Sequence, residues 1–430
     1  MQSESTAEMT TVAIARVAGH WADREAVLAA VENALRLVPD WAGRAAAARR
    51  ILLKPNLTTD SMSWETGAVT STLVVEAVAR ALREASPRAR IGIAEATAVA
   101  LDTKKAFVTT GLDRLARDLD LDLIDLNDDE HVAVPVEPAP GCPEFPIRQV
   151  RVCRSVLECD FLVNLPVLKT HPATAVSICL KNLKGTIPAA EKRRFHFKGL
   201  LDCVIALNRV VRPALVIADG TVGHEGDGPI GGTPVGLGLV VAGTDSTAVE
   251  LISGRIMGLT LDEMPLLTKA RQHRLGVCDE RAIRIVGLPL AEATRPFRRA
   301  VFPFVRPPGV AVVDANACTG CREGVRMAIA RAQAAGLLSR LPPLRFLIGG
   351  GDYPNEEAAD EPRAAGEVAI YVGRCRQAEA KAGEALWVPG CPPQVFLIAD
   401  ELRALAGEPR LYGERKSFEI GEVDDPDAQA

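Results

Sequence analysis

Short apolar runs alternating with longer amphipathic stretches predict an α/β protein. A mainly parallel sheet forms the N-terminal domain, and a smaller α/β domain with four cysteines follows it. Three observations lead there: the β-then-α rhythm, a length of 430 residues that suits more than one domain, and a proline-rich break after which the rhythm restarts.

Taken in order, Thr11–Val17 and Arg50–Leu53 read as strands because β-branched and aliphatic residues crowd short runs. Arg24–Leu37 and Leu73–Ala85 carry apolar residues at helical spacing and read as helices. Ile91–Ala94 is a strand, Gly111–Leu119 a helix, and Leu121–Leu126 leads into another strand. Phe161–Leu165, Ala214–Ala218 and Leu237–Ala242 are compact β runs. Ligand-binding loops of such sheets gather at the carboxyl ends of strands, so the loops after Leu53, Ala94, Leu165 and Ala218 are the expected site. Residues 1–295 form the first domain on this reading. The segment 296–309, with Pro296, Pro303, Pro307 and Pro308, is a linker, because repeated proline interrupts helix and sheet. Residues 310–430 form the second domain: strands Val310–Val313, Leu344–Ile348 and Val368–Val372, and helices Arg322–Ala335 and Val395–Ala406. An acidic tail from Glu419 is expected to fray.

Composition narrows the function. Hydrophobic residues at 48% and charged residues at 24% suit a globular chain with a core of ordinary size. A net charge of −5 argues against a dedicated nucleic-acid binder. No run approaches the roughly 20 apolar residues of a membrane helix. Met1–Thr10 is polar, with Glu4 and Glu8, and lacks the basic and apolar regions of a secretory signal. The expected location is the cytoplasm, where thiols stay reduced, so the ten cysteines are not a disulfide framework.

Four of those cysteines share one kind of position. Cys318-Thr-Gly-Cys321 lies between a strand and a helix, Cys375 follows a strand, and Cys391 in Val388-Pro-Gly-Cys-Pro-Pro393 precedes the last helix. Thiolates are stabilised near helix N-termini, where N–H groups lack partners. Four thiols suit a [4Fe–4S] cluster or a tetrahedral zinc. The spacing is neither the ferredoxin run nor paired C-x2-C zinc, and a redox-active Cys318–Cys321 pair is a further option. Cys142, Cys153, Cys159, Cys179, Cys203 and Cys278 read as ordinary thiols, mostly in apolar runs.

A second signal is cationic. Lys169, Lys181, Lys184, Lys192, Arg193, Arg194 and Lys198 lie between Asn164 and Lys198, opposed locally only by Glu191. An acidic protein that concentrates positive charge after a strand suits an anionic substrate. His171 and His196 are candidate acid and base, because imidazole titrates near neutrality. A solvated basic face with incidental histidines is the bland alternative. Lys54 and Asn56 in Lys54-Pro-Asn-Leu57 are placed to face the same cleft, and Thr70 is a candidate helix cap. Asp219–Gly238 holds eight glycines, and Gly226-Asp-Gly-Pro-Ile-Gly231 formally matches G-x-G-x-x-G. Pro229 and the absence of an immediate helix argue against a dinucleotide site. The segment reads instead as a flexible loop closing over a ligand, with Asp219, His224 and Asp227 as polar contacts, or as a plain glycine-rich connection.

Lys54-Pro-Asn, Asn164-Leu-Pro-Val-Leu-Lys-Thr-His, Leu180-Lys-Asn-Leu-Lys-Gly, and Asp219-Gly with Gly226-Asp-Gly-Pro together resemble domain-of-unknown-function family 362, over roughly residues 48 to 255. Members are often joined to iron–sulfur domains, so the resemblance implies that the four-cysteine unit is one. A fainter similarity links His171, Lys181 and His196 to the His, Lys, His set of lactate-racemase-like nickel-pincer enzymes. There the lysine anchors the cofactor, one histidine ligates nickel and another moves a proton. Here Lys104 and Lys105 stand where a further upstream histidine is expected.

The combined expectation is an iron–sulfur oxidoreductase. Cys318, Cys321, Cys375 and Cys391 ligate the cluster, and His171, His196 and Lys181 are catalytic. Lys54, Asn56, Lys169, Lys184 and Asp219 bind a small anionic substrate, and an electron-transfer partner completes the cycle. The rivals are a non-redox isomerase or racemase-like enzyme with a structural cluster, and a cluster-carrying binding or assembly protein.

Overall fold

The computed structural model describes residues 9–99, 101–300, 307–315, 317–350, 363–383, 385–393 and 395–411. It divides into two units, Met1–Lys192 with Leu201–Val301, and Arg193–Leu200 with Phe302–Ala430.

The first unit is built on a mostly parallel sheet. Its strands are β1 (Thr10–Arg16), β2 (Arg50–Pro55), β3 (Arg90–Glu95), β4 (Asp122–Asp125), β7 (Phe161–Leu165), β8 (Val167–His171), β9 (Ala175–Val176), β10 (Leu215–Glu225), β11 (Thr233–Gly243) and β12 (Ile283–Gly287). A separate antiparallel pair comprises β5 (His131–Pro135) and β6 (Gln149–Cys153). The main order is β12-β1-β11-β10-β7-β2-β3-β4, with β8 beside β10 and β9 beside β8. Strands β10, β7, β2, β3 and β4 run parallel, whereas β11 runs antiparallel to both of its neighbours. The ends of β2, β3, β7 and the predicted β10 core therefore align as the sequence led us to expect.

The helices Arg24–Leu37 and Thr72–Ala85 cover this sheet through Val27, Val31, Val74, Val78 and Leu82, which join Ile51, Leu53, Ile91 and Val163 in one apolar core. Asp23 and Ser71 cap them, their side chains accepting from the amides of Ala26 and Leu73. The cap of the second helix is thus Ser71 and not the expected Thr70. The Thr70 hydroxyl instead donates to the Leu165 carbonyl and accepts from the Asn56 amide, joining the ends of β7 and β2.

One other expectation changes. Most of the glycine-rich segment belongs to the β10–β11 hairpin and not to a flexible loop. Its glycines permit close approach: a Cβ on Gly232 would stand 2.0 Å from the Glu225 carbonyl oxygen, and one on Gly236 would stand 2.7 Å from Trp21. The front of the proline-rich linker is also ordered. Phe297 is buried, its amide donating to the Met257 carbonyl, and Arg298 pairs with Glu225. The rest of that linker, 301–306, lies outside the described residues, as do residues 1–8 and the acidic tail.

The second unit carries β13 (Val310–Ala315), β14 (Leu344–Gly349), β15 (Val368–Val372) and β16 (Leu386–Val388) in sequential, all-parallel order. Helices Thr319–Ala334 and Val395–Leu405 complete its core through Val325, Ile329, Ile398 and Leu402. The short strand β16 escapes a sequence reading because Leu386-Trp-Val388 is too brief to show alternation. Among the described residues no helix is long and apolar enough to cross a membrane.

Candidate functional site

At the carboxyl edge of the first sheet, register sets Lys54 of β2 beside Asn164 of β7, with Glu95 ending β3. Lys54 Nζ lies 2.7 Å from Glu95 Oε2, and both side chains are almost completely buried. The ammonium also donates to the Pro55 carbonyl at 2.8 Å and to Asn182 Oδ1 at 3.3 Å. Lys169 Nζ donates to Asn56 Oδ1 at 2.6 Å and to the Ala68 carbonyl at 2.7 Å. Asn182 ties the set together: it accepts from Asn56 and donates to Asn164 Oδ1 and the Lys54 carbonyl. Asn164 in turn donates to the Cys179 carbonyl. Lys54, Asn56, Asn164, Lys169 and Asn182 of the motifs quoted for the family resemblance therefore form one hydrogen-bonded network.

The electrostatics of that network follow from burial. Desolvation lowers the Lys169 amine to about 7, with Glu95 opposing the shift and Lys54 adding to it. Lys192 is lowered to about 8, mainly by burial, and donates to the carbonyls of Ala96 and Thr97. Lys184 is lowered to about 7 by burial and by the charge of Lys192. Burial lowers Lys54 and raises Glu95, each opposed by the other's charge. Lys54, which was expected to await an anion, thus has a resident carboxylate. A count confined to residues 164–198 misses it, because Glu95 arrives from another strand.

Around this centre, His171 is half-buried at the end of β8, its Nδ1 accepting from the Ala173 amide at 3.1 Å. The neutral ring therefore carries its proton on Nε2. Lys181 sits on the short helix Cys179–Asn182, and its charge bears on Glu250. Glu250 is fully buried, accepts from the Leu180 amide at 2.6 Å, and is raised to about 7 by burial. Asp219 is buried and held by Thr221 and the Ser71 amide, which makes it a fastener between β10 and the helix at Thr72–Ala85. His224 accepts from the Gly232 amide at Nε2, so its Nδ1–H donates to the Thr66 carbonyl at 2.9 Å. Burial lowers its pKa, and the neutral ring clasps the hairpin in place of the expected ligand contact.

His196 separates from this group. Residues Arg193–Leu200 cluster with the second unit, and His196 Nδ1 lies 2.8 Å from Thr319 Oγ1, between the first two cysteines in sequence. Proximity in sequence to Lys181 and Lys192 had suggested a role beside them.

In the second unit, the four cysteine loops meet at the carboxyl edge of the small sheet. The Gly350 amide donates to the Ala315 carbonyl, Gly373 to Val388, and Arg374 to Gly390. A Cβ on Gly373 would lie 3.3 Å from Cys321 Sγ, one on Gly350 would lie 3.1 Å from Cys375 Cβ, and one on Gly320 would lie 2.4 Å from Pro392 Cγ. Cys318 is the N-cap of the helix Thr319–Ala334. Its thiol is lowered to about 6, first by a hydrogen bond from Cys321, with amides of Cys321 and Gly320 assisting against burial. Cys321 is pushed well up by its bond to Cys318, by burial and by the charges of Cys318, Cys375 and Cys391. Burial raises Cys391, with Cys318 and Cys375 adding to the shift and Arg193 and Arg374 opposing it. Among the described residues no three His, Cys, Asp or Glu side chains are already disposed as a metal site. The donor set still fits a cluster: four soft thiols on one edge, with amide donors and two guanidiniums to offset negative charge. Glu95, Asn182 and Glu250 had no assigned role in the sequence, although Asn182 lies within a quoted motif and Glu95 directly follows a flagged strand end.

Comparison with known proteins bears on the first unit. Residues 51–254 match the family model described as Domain of unknown function (DUF362). Over 234 residues the chain is 29% identical to the thylakoid-associated protein sll1697 of Synechocystis sp., spanning 53% of this chain and 68% of that protein. Among solved structures, the lactate racemase apoprotein from Thermoanaerobacterium thermosaccharolyticum is similar with a TM-score of 0.41 at 11% identity, over 91% of this chain and 90% of that one.

Proposed function

Residues 51–254 match the DUF362 family model, and on that basis we propose an iron–sulfur protein in which this domain binds a small anionic substrate and the four-cysteine unit takes part in oxidation or reduction. One observation carries the reading: backbone hydrogen bonds join the ends of β13 and β14 and, separately, the loops after β15 and β16, and Cys321 there feels the charges of Cys318, Cys375 and Cys391.

Cys318, Cys321, Cys375 and Cys391 would hold a [4Fe–4S] cluster, which when bound supplies one-electron transfer. Arg193 and Arg374 offset the charge of the thiolates. In the DUF362 domain, Lys54, Lys169, Lys184 and Lys192 share Glu95 as a common carboxylate neighbour or lie beside a lysine that does. An incoming anion adds counter-charge and raises the depressed amines, so binding and protonation are coupled. His171, with its proton on Nε2, donates a hydrogen bond from Nε2–H to the substrate, and Lys181 orients the anion beside Glu250.

A second reading is an acid–base isomerase or racemase-like enzyme with a structural cluster. It is favoured by Lys169, whose amine at about 7 suits proton exchange at neutral pH.

Anaerobic purification with analysis for iron, acid-labile sulfide, zinc and nickel tests the proposal. We expect iron, sulfide and broad visible absorption, lost in C375S and C391S. A colourless, zinc-loaded protein removes the redox reading. An electron paramagnetic resonance spectrum unchanged by dithionite, in a protein that contains iron, selects the isomerase. H171Q and K181M should keep full iron content.

A further inference from the structure

A cavity of about 370 Å³ opens in the first unit beside the start of β10. Its wall includes Pro213, which precedes β10, and Thr244, which follows β11. Because β11 runs antiparallel to β10, with Val216 paired to Gly243, this is the amino edge of the parallel strands. Asp219 and the buried lysine network occupy the carboxyl edge. Leu180 in its wall also bonds Glu250, but the cavity's four arginines have no part in the function proposed above.

Its lining is strongly cationic. Arg44, Arg209, Arg212 and Arg274 all face it, against Asp245 as the one carboxylate of the wall. That carboxylate is already engaged as the cap of the helix Ser246–Ile256, accepting from the amides of Thr247 and Ala248. Among the described residues these arginines bond only to backbone carbonyls: Arg44 to Ala214, Arg209 to His273, Arg212 to Arg209, and Arg274 to Pro140. Other arginines of this chain find carboxylates, as in Arg24 with Glu76 and Arg345 with Glu367. Arg209 Nε is in addition buried and has no hydrogen-bond acceptor among the described residues. A buried guanidinium donor without an acceptor is costly unless a ligand supplies one.

We propose that this cavity binds a multivalent oxyanion, a phosphate or the phosphoryl group of a small molecule, which accepts from Arg209 Nε and is enclosed by Arg44, Arg212 and Arg274. Guanidinium forks match the paired oxygens of such a group, and a doubly charged anion offsets the excess positive charge of the wall. The volume admits a phosphorylated small molecule as well as the ion alone.

Titration calorimetry on the full chain, with inorganic phosphate, glycerol phosphate and acetate at constant ionic strength, tests this. Phosphate should bind with a stoichiometry of one and raise the melting temperature, and acetate should not. The exposed pair R44Q/R212Q should weaken phosphate binding at least tenfold while the melting temperature without phosphate stays unchanged. Tighter glycerol phosphate assigns a phosphorylated small molecule, and equal affinities assign free phosphate; both uphold the site. Phosphate binding no tighter than acetate, or binding unaffected in a folded R44Q/R212Q, overturns it. K169M, which alters only the network at the opposite edge, should leave phosphate affinity unchanged.

Discussion

Lys54 and Glu95 form an ion pair from adjacent parallel strands, 2.7 Å apart, with side chains 1% and 3% exposed. Such a pair holds its place because each partner cancels a charge that burial otherwise forbids. Removing one partner leaves the other unmatched. E95Q is expected to destabilise the protein by about 3–5 kcal/mol, and K54M/E95Q by less than E95Q alone. Urea unfolding of wild type, E95Q, K54M and K54M/E95Q checks this; a double variant as unstable as the sum of the singles would show that the charges do not interact.

Glu250 gives a pH dependence of opposite sense to a surface carboxylate. Its ordinary value of 4.5 rises to about 7 in the fold, because burial outweighs the amides of Leu180 and Cys179. Between those values the folded state holds a proton that the unfolded state has lost, so this residue's contribution falls as pH rises. Wild type should lose up to about 1.4 kcal/mol per pH unit relative to E250Q from pH 4.5 to 7, and no more above it. Unfolding midpoints of both proteins at pH 5, 6, 7 and 8 read the difference directly.

Lys169 should show the reverse slope. Its amine falls from 10.5 to about 7, so between these values the folded state binds fewer protons than the unfolded one. Stability relative to K169M therefore rises with pH from about 7 toward 10. A difference between the two proteins that is flat from pH 7 to 9 would mean that Lys169 stays charged when folded.

Much of this was legible in the chain. Arg24–Leu37, Phe161–Leu165 and Val368–Val372 coincide with observed elements because their patterns are unambiguous and their boundaries are set by caps or turns. The four strand ends were also legible, since parallel strands place their loops on one edge. What escaped is non-local. Glu95 is an ordinary strand residue until β2 pairs with β3 and brings Lys54 to it. His196 follows the basic run in sequence but clusters with the second unit, and no local pattern encodes that. The glycines of Asp219–Gly238 misled for a related reason: flexibility and close packing both call for glycine, and only tertiary contacts tell them apart.

That distinction is testable. In Gly232 a Cβ meets the Glu225 carbonyl oxygen at 2.0 Å, and in Gly67, at φ +69°, it meets the Gly223 carbonyl oxygen at 2.1 Å. Gly43, inside the helix Trp41–Ala46, has nothing within 4 Å. G232A and G67A should each cost about 2 kcal/mol or more, whereas G43A should stabilise by about 0.5–1 kcal/mol. A flexible loop at Gly232 would instead tolerate alanine without loss of melting temperature.

The glycine beside Cys321 offers a probe of the four-thiol unit that leaves every sulfur in place. A Cβ on Gly320 would stand 2.4 Å from Pro392 Cγ, forcing the Cys318–Cys321 turn away from the segment bearing Cys391. Four thiols share one inorganic centre only if all four loops stay together, so a displacement of this size is felt as lost ligation. If the proposed cluster is bound, G320A prepared without oxygen is expected to retain less than about half of the wild-type iron while the first unit melts unchanged. G383A, at a glycine of φ −100° whose Cβ would meet nothing nearer than the Glu379 carbonyl oxygen at 3.6 Å, is the control for alanine in the same unit. Equal iron in G320A and wild type would mean that Cys391 is not held against the Cys318–Cys321 turn by this contact, and the shared centre would lose its geometric basis.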